Sequence, residues 1–296
     1  MRWLAIILIG ILLGCSQEEE RNDNIRIVCT TGMIGDAVRN MTDSSCTVNV
    51  LMGPGTDPHL FKPTKSSLDL LSDADIIIAN GLHLEGKMQD ILEKLKRTKT
   101  VYFLADGLNN DDLLLSDSSS KIFDPHIWFD VALWNKALSA FKSEFQDGDI
   151  LKLPRANEYL NALSDLDNWV GEEVNSIPEN KRVLITAHDA FSYFGRAYGL
   201  EVIGLQGIST VSEYGLRDIS NLVNTIVDRQ IPAVFIESSI SPRSIQAVVE
   251  GCQKKGFQTK LGGTLYSDAL GPKNSNAETY IEMVQHNVTT LKTALK

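Results

Sequence analysis

The chain has 296 residues, 43% hydrophobic and 22% charged, a balance that specifies a folded protein with room for two domains and excludes a disordered one. Acidic residues outnumber basic ones by 38 to 28, and the net charge of −10 argues against nucleic acid as a partner. It suits a protein that handles cations without specifying one.

Arg2 precedes an apolar run from Trp3 to Leu13, too short to span a bilayer, so residues 1–14 read as a signal peptide. The run ends in Leu12-Leu13-Gly14-Cys15, which resembles the lipobox of bacterial lipoproteins, with Cys15 as the lipid-bearing first mature residue. Residues 15–24, polar and charged, read as a tether. Cys29, Cys46 and Cys252 remain, an odd number with no disulfide framework and no thiolate metal motif. Cys29 and Cys46 lie in neighbouring apolar runs; pairing stays open beside their reading as buried free thiols.

From residue 25, short apolar runs alternate with helix-period stretches. Residues 25–28, 48–52, 75–79 and 101–104 read as buried parallel strands, and 86–96 and 131–145 as helices. Residues 111–120, rich in Asp, Leu and Ser, read as a surface loop without chemistry of its own. Pro154 sits at a first helical turn, and Leu160, Leu163, Leu166, Val170 and Val174 follow at helical spacing. A helix from Pro154 to Asn175 spans ~33 Å at ~1.5 Å per residue, a stiff connection that restricts opening. Beyond it, strands are predicted at 183–186, 201–203, 233–236 and 257–261, and helices at 189–198, 213–229, 242–254 and 277–295. The expected fold is α/β: lobes over 25–153 and 179–296, each with a mostly parallel four-stranded sheet flanked by helices, joined by one long helix over 154–178.

Five histidines occur, and three fall at or near the ends of predicted strands, where α/β folds bind ligands. His59 follows Gly53-Pro54-Gly55-Thr56-Asp57-Pro58 and His126 follows Asp124-Pro125, so Asp-Pro-His occurs twice. Proline fixes its own φ and pushes the preceding Asp into extended conformation, a stiff way to present an imidazole. His188 stands in Thr186-Ala187-His188-Asp189-Ala190-Phe191, with Asp189 placed to begin the next helix. Asp268, in the loop after Tyr266-Ser267, reads equally as a helix cap, and on spacing alone structural roles stay open for all four. His83 and His286 read as structural. Glu237, ending a strand, is placed to orient a ligand imidazole from behind.

Taken in order, Thr30-Thr31-Gly32-Met33-Ile34, the two Asp-Pro-His segments, Asn80-Gly81-Leu82-His83-Leu84-Glu85, the His188 segment, Gly204-Leu205-Gln206-Gly207-Ile208-Ser209-Thr210, Phe235-Ile236-Glu237-Ser238-Ser239 and Leu265-Tyr266-Ser267-Asp268-Ala269 resemble the metal-specific solute-binding proteins of ABC importers, above all the TroA type. The resemblance implies two lobes joined by one helix, with two metal ligands from each meeting in the cleft: His59, His126, His188 and Asp268. It also implies one zinc or manganese ion, or iron, as transported cargo of a monomer, and no catalytic cofactor. The implied partner is an importer permease with its ATPase, and the implied place is extracytoplasmic, held to a membrane by the Cys15 lipid. Manganese-selective relatives similar to PsaA usually carry Glu where this chain has His188. Zinc-selective relatives similar to ZnuA usually carry a His-rich loop, and residues 111–120 contain no His.

Three imidazoles and a carboxylate suit zinc and tolerate manganese, with binding expected to weaken as pH falls through the ordinary imidazole range near ~6.5. A metal-dependent hydrolase is a rival reading, but catalytic zinc keeps a coordination position for water, and neither His-Glu-x-x-His nor a nucleophile elbow is present. The chain is therefore read as a non-enzyme. A surface adhesin lipoprotein without a transport role is the second rival, separated from transport by whether metal uptake fails when the chain is deleted.

Overall fold

The computed structural model describes residues 24–116, 121–148, 150–211 and 214–296. The signal peptide, Cys15, nearly all of the tether and the end of the 111–120 loop lie outside the described residues.

In the first lobe, β1 (Ile25–Thr31) lies between β2 (Cys46–Met52) and β3 (Ile76–Ala79), with β4 (Thr100–Phe103) outside β3; every pairing is parallel. Because side chains alternate along a strand, Ile27 and Cys29 enter one core while Val28 enters another on the opposite face. Helix α1 (Gly32–Met41) covers the first face with Met33, Ile34, Ala37 and Val38. Leu71 of α2 (Lys65–Asp73) and Leu92 of α3 (Gln89–Leu95) cover the second. Helix α4 (Val131–Phe145) adds Trp134, Leu138 and Phe141 to the first core.

Helix α5 (Leu153–Asn175) has 23 residues, a length of about 34 Å, with Pro154 in its first turn. Leu160, Leu163, Leu166, Val170 and Val174 lie on its buried face, as the spacing predicts, and Ala156 and Tyr159 extend that face toward the N-terminus.

The second lobe follows as β5 (Val183–His188), α6 (Ser192–Tyr198), β6 (Glu201–Gln206), α7 (Leu216–Arg229), β7 (Ala233–Glu237), α8 (Arg243–Lys254), β8 (Lys260–Leu265) and α9 (Tyr280–Leu295). All four expected strands form, but as two parallel pairs, β5 with β6 and β7 with β8, rather than one four-stranded ladder. Two local features accompany the break. The β7 and β8 register shifts between Val234 and Ile236, and the backbone N–H of His188 at the end of β5 donates to the Glu237 carboxylate at 2.9 Å instead of to a strand carbonyl.

Strand β8 also lies later than the predicted 257–261, running through Gly262 and Gly263. A Cβ on Gly262 would fall 2.5 Å from the Phe235 ring, so the missing side chain is what lets this strand approach β7 closely. Asp189 does not start α6; its carboxylate takes the Ser192 hydroxyl at 2.7 Å, and the helix begins at Ser192. Helix α9 starts at Tyr280, three residues after the predicted Ala277, where Thr279 and Glu282 form a capping box.

One apolar core runs through both lobes, joining Ile27, Trp134 and Leu163 to Phe191, Phe235, Tyr280 and Leu291. At the seam the rings of Phe129 and Phe191 have centroids 4.2 Å apart. A shared core of this kind opposes wide separation of the lobes. Cys29, Cys46 and Cys252 are free thiols, so the first two do not pair. Among the described residues, no helix is long and apolar enough to cross a membrane.

Candidate metal centre

The C-terminal ends of the strands bring together the four residues singled out by sequence. His59 lies in the loop after β2, His126 in the loop between β4 and α4, His188 is the last residue of β5, and Asp268 follows β8. Each lobe supplies two of them. All are buried, and each offers one donor atom within 4.8 Å of the others. His59 Nε2 lies 3.2 Å from His126 Nε2, His126 Nε2 lies 3.6 Å from Asp268 Oδ1, and His188 Nε2 lies 3.4 Å from Asp268 Oδ2. A tetrahedral ion with bonds of about 2.05 Å needs donors about 3.3 Å apart, close to these three separations, so a small contraction of the quartet would close it around one ion.

The repeated Asp-Pro-His segments share one backbone device. Asp57 Oδ1 accepts the His59 N–H and Asp124 Oδ1 accepts the His126 N–H, each at 2.9 Å, closing the chain around the intervening proline. The two aspartates then diverge. Asp124 Oδ1 also lies 2.7 Å from His126 Nδ1, which leaves Nε2 facing the cluster. Asp57 instead uses Oδ2 to accept the hydroxyl of Thr210, from the second lobe, at 2.7 Å. Glu237 takes the expected place behind His188, with Oε2 at 2.6 Å from Nδ1.

The Asn80-Gly81-Leu82-His83-Leu84-Glu85 loop works as a bracket. Its buried Glu85 accepts from Thr30 Oγ1 at 2.8 Å and from the Asn80 and Gly81 amides at 2.7 and 3.3 Å. Asn80 Nδ2 donates to the Pro125 carbonyl at 2.9 Å, holding the turn that carries His126. His83 is exposed, outside the buried quartet, and lines a cavity of about 590 Å³ shared with His59 and the 207–209 loop. His286 sits within 3.1 Å of the Thr264 carbonyl and takes no part. Trp128 Nε1 donates to the Ser267 carbonyl at 3.1 Å, tying the loop of Asp268 to that of His126.

Sequence reasoning did not find the contact of Asp124 with the imidazole two residues on, nor Thr210 and Asn80 as supports. The doubled Asp-Pro-His was the available signal for Asp124. Nothing local marks Thr210, which lies 153 residues from its partner Asp57.

The imidazoles are not alike, contrary to the expectation of three ordinary ones. Burial pushes His59 down to about 3, so it stays neutral. Burial opposes the charge on His188 too, but the Glu237 and Asp268 carboxylates outweigh it and hold that imidazole well above the usual value. Burial would raise Asp268, yet its carboxyl is held below the usual range, first by His188. Among the described residues, Asp268 Oδ1 and the His188 ring nitrogens have no aligned hydrogen bond, although short ion-pair contacts surround them. Buried polar atoms so placed are what a cation would satisfy.

Two α/β lobes bridged by one long helix and closed over a buried donor cluster define a two-lobed solute-binding protein. The chain belongs to the ZnuA family, described as zinc-uptake complex component A, periplasmic, which matches residues 27–294. It is 43% identical to the manganese-binding lipoprotein MntA of Bacillus subtilis, over 96% of this chain and 95% of that one. It is 39% identical to the zinc-binding protein TroA of Treponema pallidum, over 98% and 96% of the two. The solved structure of the periplasmic zinc-binding protein TroA of Treponema pallidum matches with a TM-score of 0.87 and 39% identity, covering 92% of this chain and 99% of that one.

Proposed function

We propose that the protein captures one divalent transition-metal ion, zinc or manganese, with His59, His126, His188 and Asp268, and delivers it to an ABC importer permease. The donor cluster carries this reading: three nitrogens and an oxygen, buried and within 4.8 Å of one another, with His59–His126, His126–Asp268 and His188–Asp268 at 3.2 to 3.6 Å. An ion held by residues from both lobes ties them together, so a membrane partner meets a different shape when the protein is loaded. Four protein donors leave no coordination position for water, which separates a carrier from a catalytic zinc site, and we read the protein as having no turnover of its own. In this reading the lobes span 25–153 and 179–296 around the 154–178 linker, and the monomer is held at a membrane by lipid on Cys15.

Zinc stands above manganese in intrinsic affinity for such donors, so the cargo depends on which ion the surroundings supply. Elemental analysis of protein purified without added metal tests the reading, followed by zinc and manganese competition. One ion per chain in wild type and none in His126→Ala is the expected result; equal metal content in both sinks it.

A further inference from the structure

The contact between Asp57 and Thr210 lies outside the quartet yet reaches one of its members. Asp57 divides its carboxylate, Oδ1 accepting the His59 N–H at 2.9 Å and Oδ2 accepting the Thr210 hydroxyl at 2.7 Å. Thr210 is itself held, because Gln206 Nε2 donates to its carbonyl at 2.7 Å. Gln206 ends β6 in register with His188 of β5. A continuous path therefore runs from the second-lobe histidine through Gln206, Thr210 and Asp57 to the first-lobe histidine. The loop in the middle of this path, with Gly207, Ile208 and Ser209, walls the cavity that His59 also lines. Val211, next to Thr210, is 63% exposed, so this end of the loop is open to contact from outside.

We infer that Thr210 is a positioning residue that latches the cleft, its hydroxyl holding Asp57 and thereby His59, so that the 207–211 loop controls how fast a bound ion leaves. The inference rests on the metal-binding reading above. When the loop moves away, Asp57 loses its donor from the second lobe, the His59 turn is released, and one imidazole can withdraw from the ion. The latch forms only across a closed cleft, so it acts on release rather than capture.

Thr210→Val removes the hydroxyl at nearly constant shape, and Thr210→Ser keeps it. The ion is loaded to one per chain, and its release into excess chelator is timed in wild type and both variants. Loss of one hydrogen bond to a charged acceptor predicts release about tenfold faster in Thr210→Val, an unchanged association rate, and wild-type release in Thr210→Ser. Release should be no faster in the double variant Thr210→Val/Asp57→Ala than in Asp57→Ala alone. Unchanged release in Thr210→Val, or a loss confined to the association rate, overturns the latch while leaving the metal site standing. A wild-type protein that takes up no ion overturns the metal reading and the latch with it.

Discussion

One oxygen of Asp124 holds His126 twice, accepting its backbone N–H at 2.9 Å and lying 2.7 Å from its ring Nδ1. The side chain thereby fixes both where the imidazole starts and which nitrogen it turns to the cluster. Asp124→Ala leaves the donor count unchanged but frees the ring to rotate. Metal affinity should fall about 10- to 100-fold, as for other partners that orient ligand histidines. Competition titration against a chelator of known affinity measures it, and wild-type affinity in the variant contradicts this role.

The opposite displacements of His59 and His188 set the pH response. His59, pushed down to about 3, has no proton to lose near neutrality. His188 is held well above its ordinary value, after its burial is outweighed by Glu237 and Asp268, so the metal-free protein carries a proton there. Only neutral imidazole binds an ion, so loading must expel that proton. Affinity therefore falls up to tenfold per pH unit below the raised His188 value and levels off above it. Calorimetry at pH ~7 in buffers of different protonation heat should find at least one proton released per ion; none released would refute the charge assignment. Stability of the metal-free protein moves oppositely. The raised His188 contributes fully below its unfolded value of ~6.5, and that contribution is lost as pH climbs through the folded value.

Gly86 has φ +48°, and a Cβ there would lie 2.4 Å from the His59 carbonyl oxygen, whereas one on Gly53 would meet nothing within 4 Å. Gly86→Ala must displace the His59 backbone or its own. The expected cost is about 1–3 kcal/mol of stability together with weaker metal binding. Gly53→Ala is the control, expected to change neither by more than about 0.5 kcal/mol. Thermal denaturation and titration of the two variants decide it, and equal behaviour would show that the close approach does not matter.

The strands and the long helix were legible because their signals are local: apolar runs for β1 and β3, and the spacing from Leu160 to Val174 for α5. The quartet was legible in position, since its histidines follow strands or recur within a repeated tripeptide. Of its support, Glu237 was legible at the end of a strand, while the ring contact of Asp124 and the parts played by Asn80 and Thr210 were not. Whether Glu237 and Asp268 raise His188 depends on the ends of β5 and β7 meeting the loop after β8, and the reach of Thr210 to Asp57 depends on lobe closure. Strand β8 was misplaced for a similar reason: Gly262 reads as a break until Phe235 is seen packed against it.

In the proposed site, His188→Glu exchanges a borderline nitrogen for a hard oxygen, a change that favours manganese relative to zinc. The surroundings oppose this change. Glu237 Oε2 lies 2.6 Å from His188 Nδ1 and Asp268 Oδ2 lies 3.4 Å from its Nε2, so the single variant crowds three carboxylates together. Like charges that close do not all ionise near neutral pH, and a protonated carboxyl is a poor ligand. The single variant should therefore lose affinity for both metals, zinc more than manganese. Adding Glu237→Gln removes one charge while leaving an amide oxygen to accept the backbone N–H of residue 188, which now donates to Glu237 at 2.9 Å. Manganese binding should recover in His188→Glu/Glu237→Gln, with the zinc-to-manganese affinity ratio below that of wild type. The ratio is the quantity to measure, because distortion of the cleft weakens both ions together. A double variant that binds both metals at the wild-type ratio would show that His188 does not contact the ion.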